Sequence, residues 1–173
     1  FCISAPAGNY PKATEYLRLI QQTDRAFASF TQMLEELDEP TVVLMFGDHL
    51  PSVEQDFLDA VLSPDDPFAQ RTTPFVLWAN YPVEWDGPEE TSLNFLGQYL
   101  LRYAGIEGDP YGAFLWDLQK TLPALTFVGY TDALGEAYSH LETNAYTGKI
   151  EDYQRMQYDR LFDGGAAAAL YQG

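Results

Sequence analysis

The most constraining feature of the sequence is the stretch Thr41-Val42-Val43-Leu44-Met45-Phe46-Gly47-Asp48-His49-Leu50-Pro51. Its first half is a run of β-branched and apolar residues bounded by Pro40 and Gly47. Such a run predicts a short strand buried on both faces. Strands of that kind belong to parallel sheets covered by helices. Gly47 then lets the backbone turn, and Asp48 and His49 follow at the carboxyl end of the strand, where open α/β sheets bind their ligands. A carboxylate oxygen beside an imidazole nitrogen makes half a site for a divalent metal such as Zn or Mn. The same residues also fit a plain Gly-Asp turn followed by a satisfied loop histidine, because two neighbouring ligands never complete a site that needs about four.

Around this stretch the sequence predicts alternating helices and strands. Lys12 to Glu36 reads as a helix. Its residues Tyr16, Ile20, Thr23, Phe27, Phe30, Leu34 and Leu37 recur at spacings of four and three, one face of a helix packed on a sheet. Ser52 is placed to cap a helix over Val53 to Leu62, with Glu54 near its positive end. Pro74 to Ala79 is a second apolar run, expected to pair parallel to the first through a right-handed crossover. Thr91 or Ser92 caps a helix from Leu93 to Ala104, closed by Gly105. Gly108-Asp109-Pro110 opens another over Tyr111 to Thr121. Leu122 to Val128 fits a short edge strand, with Pro123 near its end. Thr131 to Glu142 has no clear period. Lys149 to Phe162 is a final helix, and Phe1-Cys2-Ile3-Ser4 a short strand. Residues 164–173 form a Gly- and Ala-rich tail. No internal repeat or interdomain linker stands out, so residues 1–163 read as a single unit.

Composition narrows the function. The 173 residues carry a net charge of −17 with nine Lys and Arg in all. That excludes the basic footprint of a nucleic-acid partner and a polybasic membrane anchor. A hydrophobic content of 46% and an aromatic content of 15% exclude a disordered chain. Cys2, the single cysteine, excludes an internal disulfide and a Cys-rich metal cluster, and reads as a small hydrophobe. No run approaches the ~20 apolar residues of a membrane span. No signal peptide is evident, and the absence of an initiator Met suggests a partial chain. Asp65 and Asp66 lack the spacing of a calcium loop and read as surface. His140, beside Glu142, has no metal-like spacing to His49. Trp78 and Trp85 suit packing better than a binding rim.

Several segments together carry a family resemblance: residues Tyr16 to Phe27 (YLRLIQQTDRAF), Pro40-Thr41-Val42-Val43, Phe46-Gly47-Asp48-His49-Leu50-Pro51, Thr73 to Tyr81 (TPFVLWANY) and Thr91-Ser92-Leu93-Asn94-Phe95-Leu96. Their order and spacing, from about Tyr10 to Phe162, resemble the C-terminal half of a sulfatase-type catalytic domain. The branch resembled is that of lipoteichoic acid synthases and phosphoglycerol transferases, within the alkaline phosphatase superfamily. The resemblance implies an α/β fold, part of an α/β/α sandwich with a mainly parallel sheet. It implies that Asp48 and His49 are ligands of the catalytic metal, Mn by resemblance, with Zn, Mg or Ca also compatible. It implies a parent enzyme at the extracytoplasmic face of the cell membrane, moving glycerol phosphate from phosphatidylglycerol to a cell-envelope polymer or glycan. Hydrolysis of phosphate or sulfate esters is the alternative within the superfamily. The family's threonine nucleophile, another acidic ligand and the head-group clamp lie in an N-terminal half that these residues do not match. The chain alone is therefore expected to be inactive, or to act as a non-catalytic half-domain that pairs with that missing half.

Overall fold

The computed structural model describes residues 7–66 and 68–164. The short strand expected over Phe1 to Ser4, with Cys2, and all but the first residue of the 164–173 tail lie outside them. The chain divides into two compact units, Phe1–Pro82 and Val83–Gly173.

The first unit runs α1 (Pro11–Glu35), β1 (Val42–Phe46), α2 (Gln55–Val61), a 3-10 turn (Ala69–Arg71) and β2 (Phe75–Ala79). α1 starts with Pro11 at its first position, where a missing N–H costs nothing. The apolar stripe on α1 is present but largely uncovered. Ala13 and Leu34 are the buried residues of this helix, whereas Ile20, Phe30 and Leu37 are exposed. A sheet of two strands is too narrow to cover a 25-residue helix of roughly 37 Å.

The strands fall where the apolar runs predict, but their pairing corrects the expected parallel arrangement. β1 and β2 are antiparallel, with Val42 opposite Ala79 and Phe46 opposite Phe75. The connecting residues 47–74 hold α2 and the 3-10 turn and bring the chain back to the end of β1 that it left. β1 is half-buried rather than buried on both faces, and its last residue, Phe46, is exposed.

The second unit runs α3 (Leu93–Tyr103), α4 (Pro110–Thr121), β3 (Ala124–Leu125), β4 (Gly129–Thr131), β5 (Ala137–Ser139) and α5 (Thr147–Phe162). The three strands form a second antiparallel sheet in the order β3-β4-β5. The expected strand over Leu122 to Val128 shrinks to its Ala124–Leu125 edge. The stretch from Thr131 to Glu142 supplies a turn and β5. This unit holds the hydrophobic core, built from Phe95, Leu115, Leu118, Leu122, Tyr130 and their neighbours. Trp85 packs against Tyr99, rings 4.5 Å apart, and its indole N–H donates to the Pro88 carbonyl at 3.1 Å.

Helix ends here follow local chemistry. Asp109 caps α4 by accepting the Gly112 amide at 2.8 Å. α3 ends with Gly105 at φ 68°. The amides of Gly105 and Ile106 return to Arg102 and Leu101, the pattern that satisfies the last carbonyls. Ser92 stands at the start of α3, but its hydroxyl does not cap it. That hydroxyl donates to the Leu125 carbonyl at 2.8 Å and accepts the Leu125 amide, tying the edge strand to the helix.

Asp132 is the polar hub of the second unit. It is 3% exposed, yet four groups donate to its carboxylate: the amides of Leu134 and Glu136 and the hydroxyls of Tyr138 and Tyr146. Burial alone would raise its pKa; these donors outweigh burial and hold it below the usual carboxylate value. A depressed carboxyl stabilises the fold fully above its unfolded value, about 4, and loses that contribution as pH falls from there through its lower folded value. Acid titration followed by tyrosine near-ultraviolet dichroism is expected to show the second unit losing stability below about pH 4. In Asp132→Asn, which is less stable at neutral pH, the acid slope is expected to flatten. An unchanged slope would remove Asp132 as its source.

Asn80, just after β2, ties the first unit together. Its carbonyl oxygen accepts the Thr41 amide at 2.8 Å, and its amide donates to the carbonyls of Leu34 at 3.2 Å and Glu39 at 3.0 Å. Asn80→Ala leaves the Thr41 amide without this partner and takes one donor each from the Leu34 and Glu39 carbonyls, which keep the Leu37 amide and the Thr41 hydroxyl. It is expected to destabilise this unit by about 1–3 kcal/mol in denaturant titration, with no change in the second unit's core.

Candidate metal half-site

The loop 47–54 leaves β1 and carries the candidate ligands. Gly47 does not adopt a left-handed conformation; positive φ occurs at Gly105, Gly135 and Gly164 among the described residues. Its need for glycine is spatial, since an added Cβ would lie 3.0 Å from the Thr73 Cβ. Thr73 approaches so closely because its hydroxyl donates to the Gly47 carbonyl at 2.7 Å, while the Gly47 amide donates to Pro74 at 3.0 Å. These two bonds carry the β1–β2 ladder one step past the strands and fix where the loop begins.

Asp48 and His49 come next, with side chains 81% and 79% exposed. The His49 amide donates to Asp48 Oδ1 at 2.9 Å, which turns the carboxylate toward the following residue. His49 Nδ1 lies 2.9 Å from the Leu50 carbonyl oxygen. A carbonyl can only accept, so Nδ1 carries a proton, and in the neutral ring Nε2 keeps its lone pair. That lone pair lies 3.5 Å from Asp48 Oδ2. Two ligands bound at about 2.1 Å to one tetrahedral ion sit roughly 3.4 Å apart. The donor chemistry, the tautomer and the spacing therefore fit one divalent cation held between these two atoms. They make half a site, because among the described residues no group of three or more His, Cys, Asp and Glu is arranged to hold a metal. The two side chains stand free on an exposed loop rather than lining a common cavity.

Glu54 has a role that local sequence signals do not mark. α2 starts at Gln55 with Glu54 as its flanking residue, not with Ser52, and the Glu54 side chain does not cap α2. It caps α1. Its carboxylate accepts the amides of Lys12 at 2.9 Å and Ala13 at 3.1 Å, while Tyr10, at the start of α1, offers no side-chain cap. Partial burial pushes the Glu54 pKa up. The amides of Lys12, Glu54 itself and Ala13, with the Lys12 charge, outweigh it and hold the group below its ordinary value. The partners are 41 and 42 residues upstream, so no motif signals them.

The remaining candidates sit apart from this loop in the chain. Asp66 accepts the Phe68 amide at 2.8 Å in an exposed turn. His140 Nε2 lies 2.7 Å from the Thr126 carbonyl, so its proton is on Nε2, the reverse of His49. The two histidines are thus expected in opposite neutral tautomers. Side-chain 15N spectra above about pH 8, where imidazoles are neutral, should show Nδ1–H for His49 and Nε2–H for His140. An Nε2–H tautomer at His49 would contradict the free lone pair described here.

No helix among the described residues is long and apolar enough to cross a membrane. No solved structure matches the chain. The putative cyclic beta-1,2-glucan modification protein of Rhizobium meliloti (strain 1021) is 24% identical over 173 residues, covering 90% of this chain and 27% of that protein. The chain thus spans about a quarter of the length of this curated relative. The sulfatase family model matches residues 3–106, more than half of the chain and the whole of the Gly47–Glu54 loop. The chain belongs to the sulfatase family.

Proposed function

We propose that the chain is the metal-loop half of a phosphoglycerol transferase-like sulfatase domain, working within a longer protein that moves glycerol phosphate from phosphatidylglycerol to a glucan. The observation that carries this reading is the pair of free donors, His49 Nε2 and Asp48 Oδ2, 3.5 Å apart on an exposed loop. The resemblance of the Phe46–Pro51 and Thr73–Tyr81 segments to lipoteichoic acid synthases and phosphoglycerol transferases supports the transfer chemistry. The name of the Rhizobium meliloti relative supports a glucan as acceptor. The bound cation is Mn²⁺ on this reading, and the site of action is the extracytoplasmic face of the membrane.

The residues present divide the labour simply. Asp48 supplies negative charge, and His49 supplies a neutral nitrogen whose direction the Leu50 carbonyl fixes. A divalent cation there supplies charge neutralisation for phosphoryl oxygens and activation of a hydroxyl nucleophile. The nucleophile, the further ligands and the head-group clamp belong to the partner half. The uncovered stripe of α1, with Ile20, Phe30 and Leu37 exposed, supports docking against that half, since an apolar face of this kind is costly to leave in water.

The 173-residue chain alone is expected to turn over neither a chromogenic phosphodiester nor a phosphatidylglycerol analogue in Mn²⁺, because groups that act as a unit lose nearly all their effect when split. The complete protein is expected to produce glycerol phosphate linked to glucan. Asp48→Ala in that protein should lower the rate by more than the ~10–100-fold that removing an outer-shell partner costs. Free glycerol phosphate as the main product would favour ester hydrolysis instead. Metal-dependent turnover by the chain alone, abolished by Asp48→Ala, would mean the nucleophile lies within these residues.

A further inference from the structure

The loop that carries Asp48 and His49 has two ends, and they are held differently. Its start is fixed by the Gly47 bonds to Thr73 and Pro74. Between the ends, every hydrogen bond is local: His49 to Asp48, His49 to Leu50, and Val53 to Pro51. Local bonds set the shape of a loop but not its place on the molecule. Placement at the far end falls to Glu54.

We propose that Glu54 is a positioning residue for the Asp48–His49 half-site, its carboxylate locking the far end of loop 47–54 onto the first amides of α1. Two features support the assignment. Glu54 joins two helix starts at once: its carbonyl accepts the Phe57 and Leu58 amides that open α2, and its side chain accepts the Lys12 and Ala13 amides that open α1. The positive end of the α1 dipole faces the carboxylate, which favours the geometry. The ring of Tyr10 also packs edge-on against Phe57, 5.4 Å between centroids, so the two helix starts meet through side chains as well. Without the carboxylate the far end of the loop keeps only apolar contact with the start of α1, through Tyr10 and Phe57, and His49 Nε2 and Asp48 Oδ2 keep their mutual spacing but lose their fixed bearing. The proposal rests on the metal reading of Asp48 and His49. It adds a residue that touches neither the metal nor the substrate.

The test is a Mn²⁺ titration of the complete protein, in which the further ligands are present, followed by paramagnetic broadening of the Asp48 and His49 signals, with amide exchange of the same protein measured in parallel without metal. Glu54→Ala is expected to weaken Mn²⁺ binding about tenfold, the low end of the cost of losing a ligand's support, and to speed exchange at Lys12, Ala13 and His49. Glu54→Gln, which keeps an acceptor oxygen, should fall between. Asp109→Ala removes a comparable cap from α4 in the other unit and should leave the Mn²⁺ midpoint where it was. The proposal is overturned by an unchanged midpoint in Glu54→Ala whose Lys12 and Ala13 amides have become labile, or by an equal shift in Asp109→Ala. Where Glu54→Ala unfolds the first unit, the Glu54→Gln midpoint decides. Absence of broadening at Asp48 and His49 in the unmodified complete protein has a different meaning: it removes the metal reading itself.

Discussion

The first amides of a helix have no partners within it, and neither do its last carbonyls. In α1 the first amides are met by a side chain from the strand region, and the Leu34 carbonyl, which accepts the Glu36 and Leu37 amides of its own flank, also accepts from a second such side chain. Glu54 takes the amides of Lys12 and Ala13; Asn80 donates to the carbonyls of Leu34 and Glu39 while its own oxygen takes the Thr41 amide. Since Glu54 ends the loop after β1 and Asn80 follows β2, the two clamps bind α1 to both strands without needing a large packed interface. That explains how a helix with so few buried residues keeps a defined place in its unit.

Antiparallel pairing of β1 and β2 has a further consequence for the loop. Phe46 and Phe75 stand opposite one another. The segment after β1 and the segment before β2 therefore run side by side, and Thr73 and Pro74 meet Gly47 there. A parallel pair would have put the start of β2 at the other end and left Gly47 without these partners. The correction to topology thus accounts for the contacts that hold the candidate ligands at the strand's edge. It also gives Gly47 a different reason from the one its sequence context suggests, a close approach rather than a turn.

Local signals in the sequence are legible where local physics decides. The period of α1, the Asp109-Pro110 start of α4, the Gly105 end of α3 and both apolar strands appear in the structure within a residue or two. Pairing direction is not local: residues 47–74 are enough for either return, and nothing in the apolar pattern of the two strands selects one. The bond of Ser92 to Leu125 in place of the expected cap was unreadable, because a hydroxyl that suits a cap suits Leu125 equally well. Glu54 reads in sequence as an acid near the positive end of its own helix and Asp132 carries no signal, and each gains its role from donors brought by folding. At the candidate site the adjacency of Asp48 and His49 was legible, as were the residue types. The free Nε2 lone pair was not, since it follows from the Leu50 carbonyl turning toward Nδ1.

Two ligands supplied by consecutive residues have their spacing set by one peptide, so the donor separation survives almost any motion of the loop. What motion does change is the direction in which the pair points. A cation bound by only two protein atoms is held weakly, and its affinity grows as further ligands arrive from outside the pair. Those ligands can close on the ion only if the pair points at them, and here direction is governed by the two anchors, Gly47–Thr73 and Glu54–α1. On the proposed reading, metal affinity in the complete domain is therefore as much a property of loop placement as of Asp48 and His49 themselves. An apolar helix face that docks and a loop anchored to the start of that same helix would couple assembly of the domain to completion of the metal site, because α1 takes part in both.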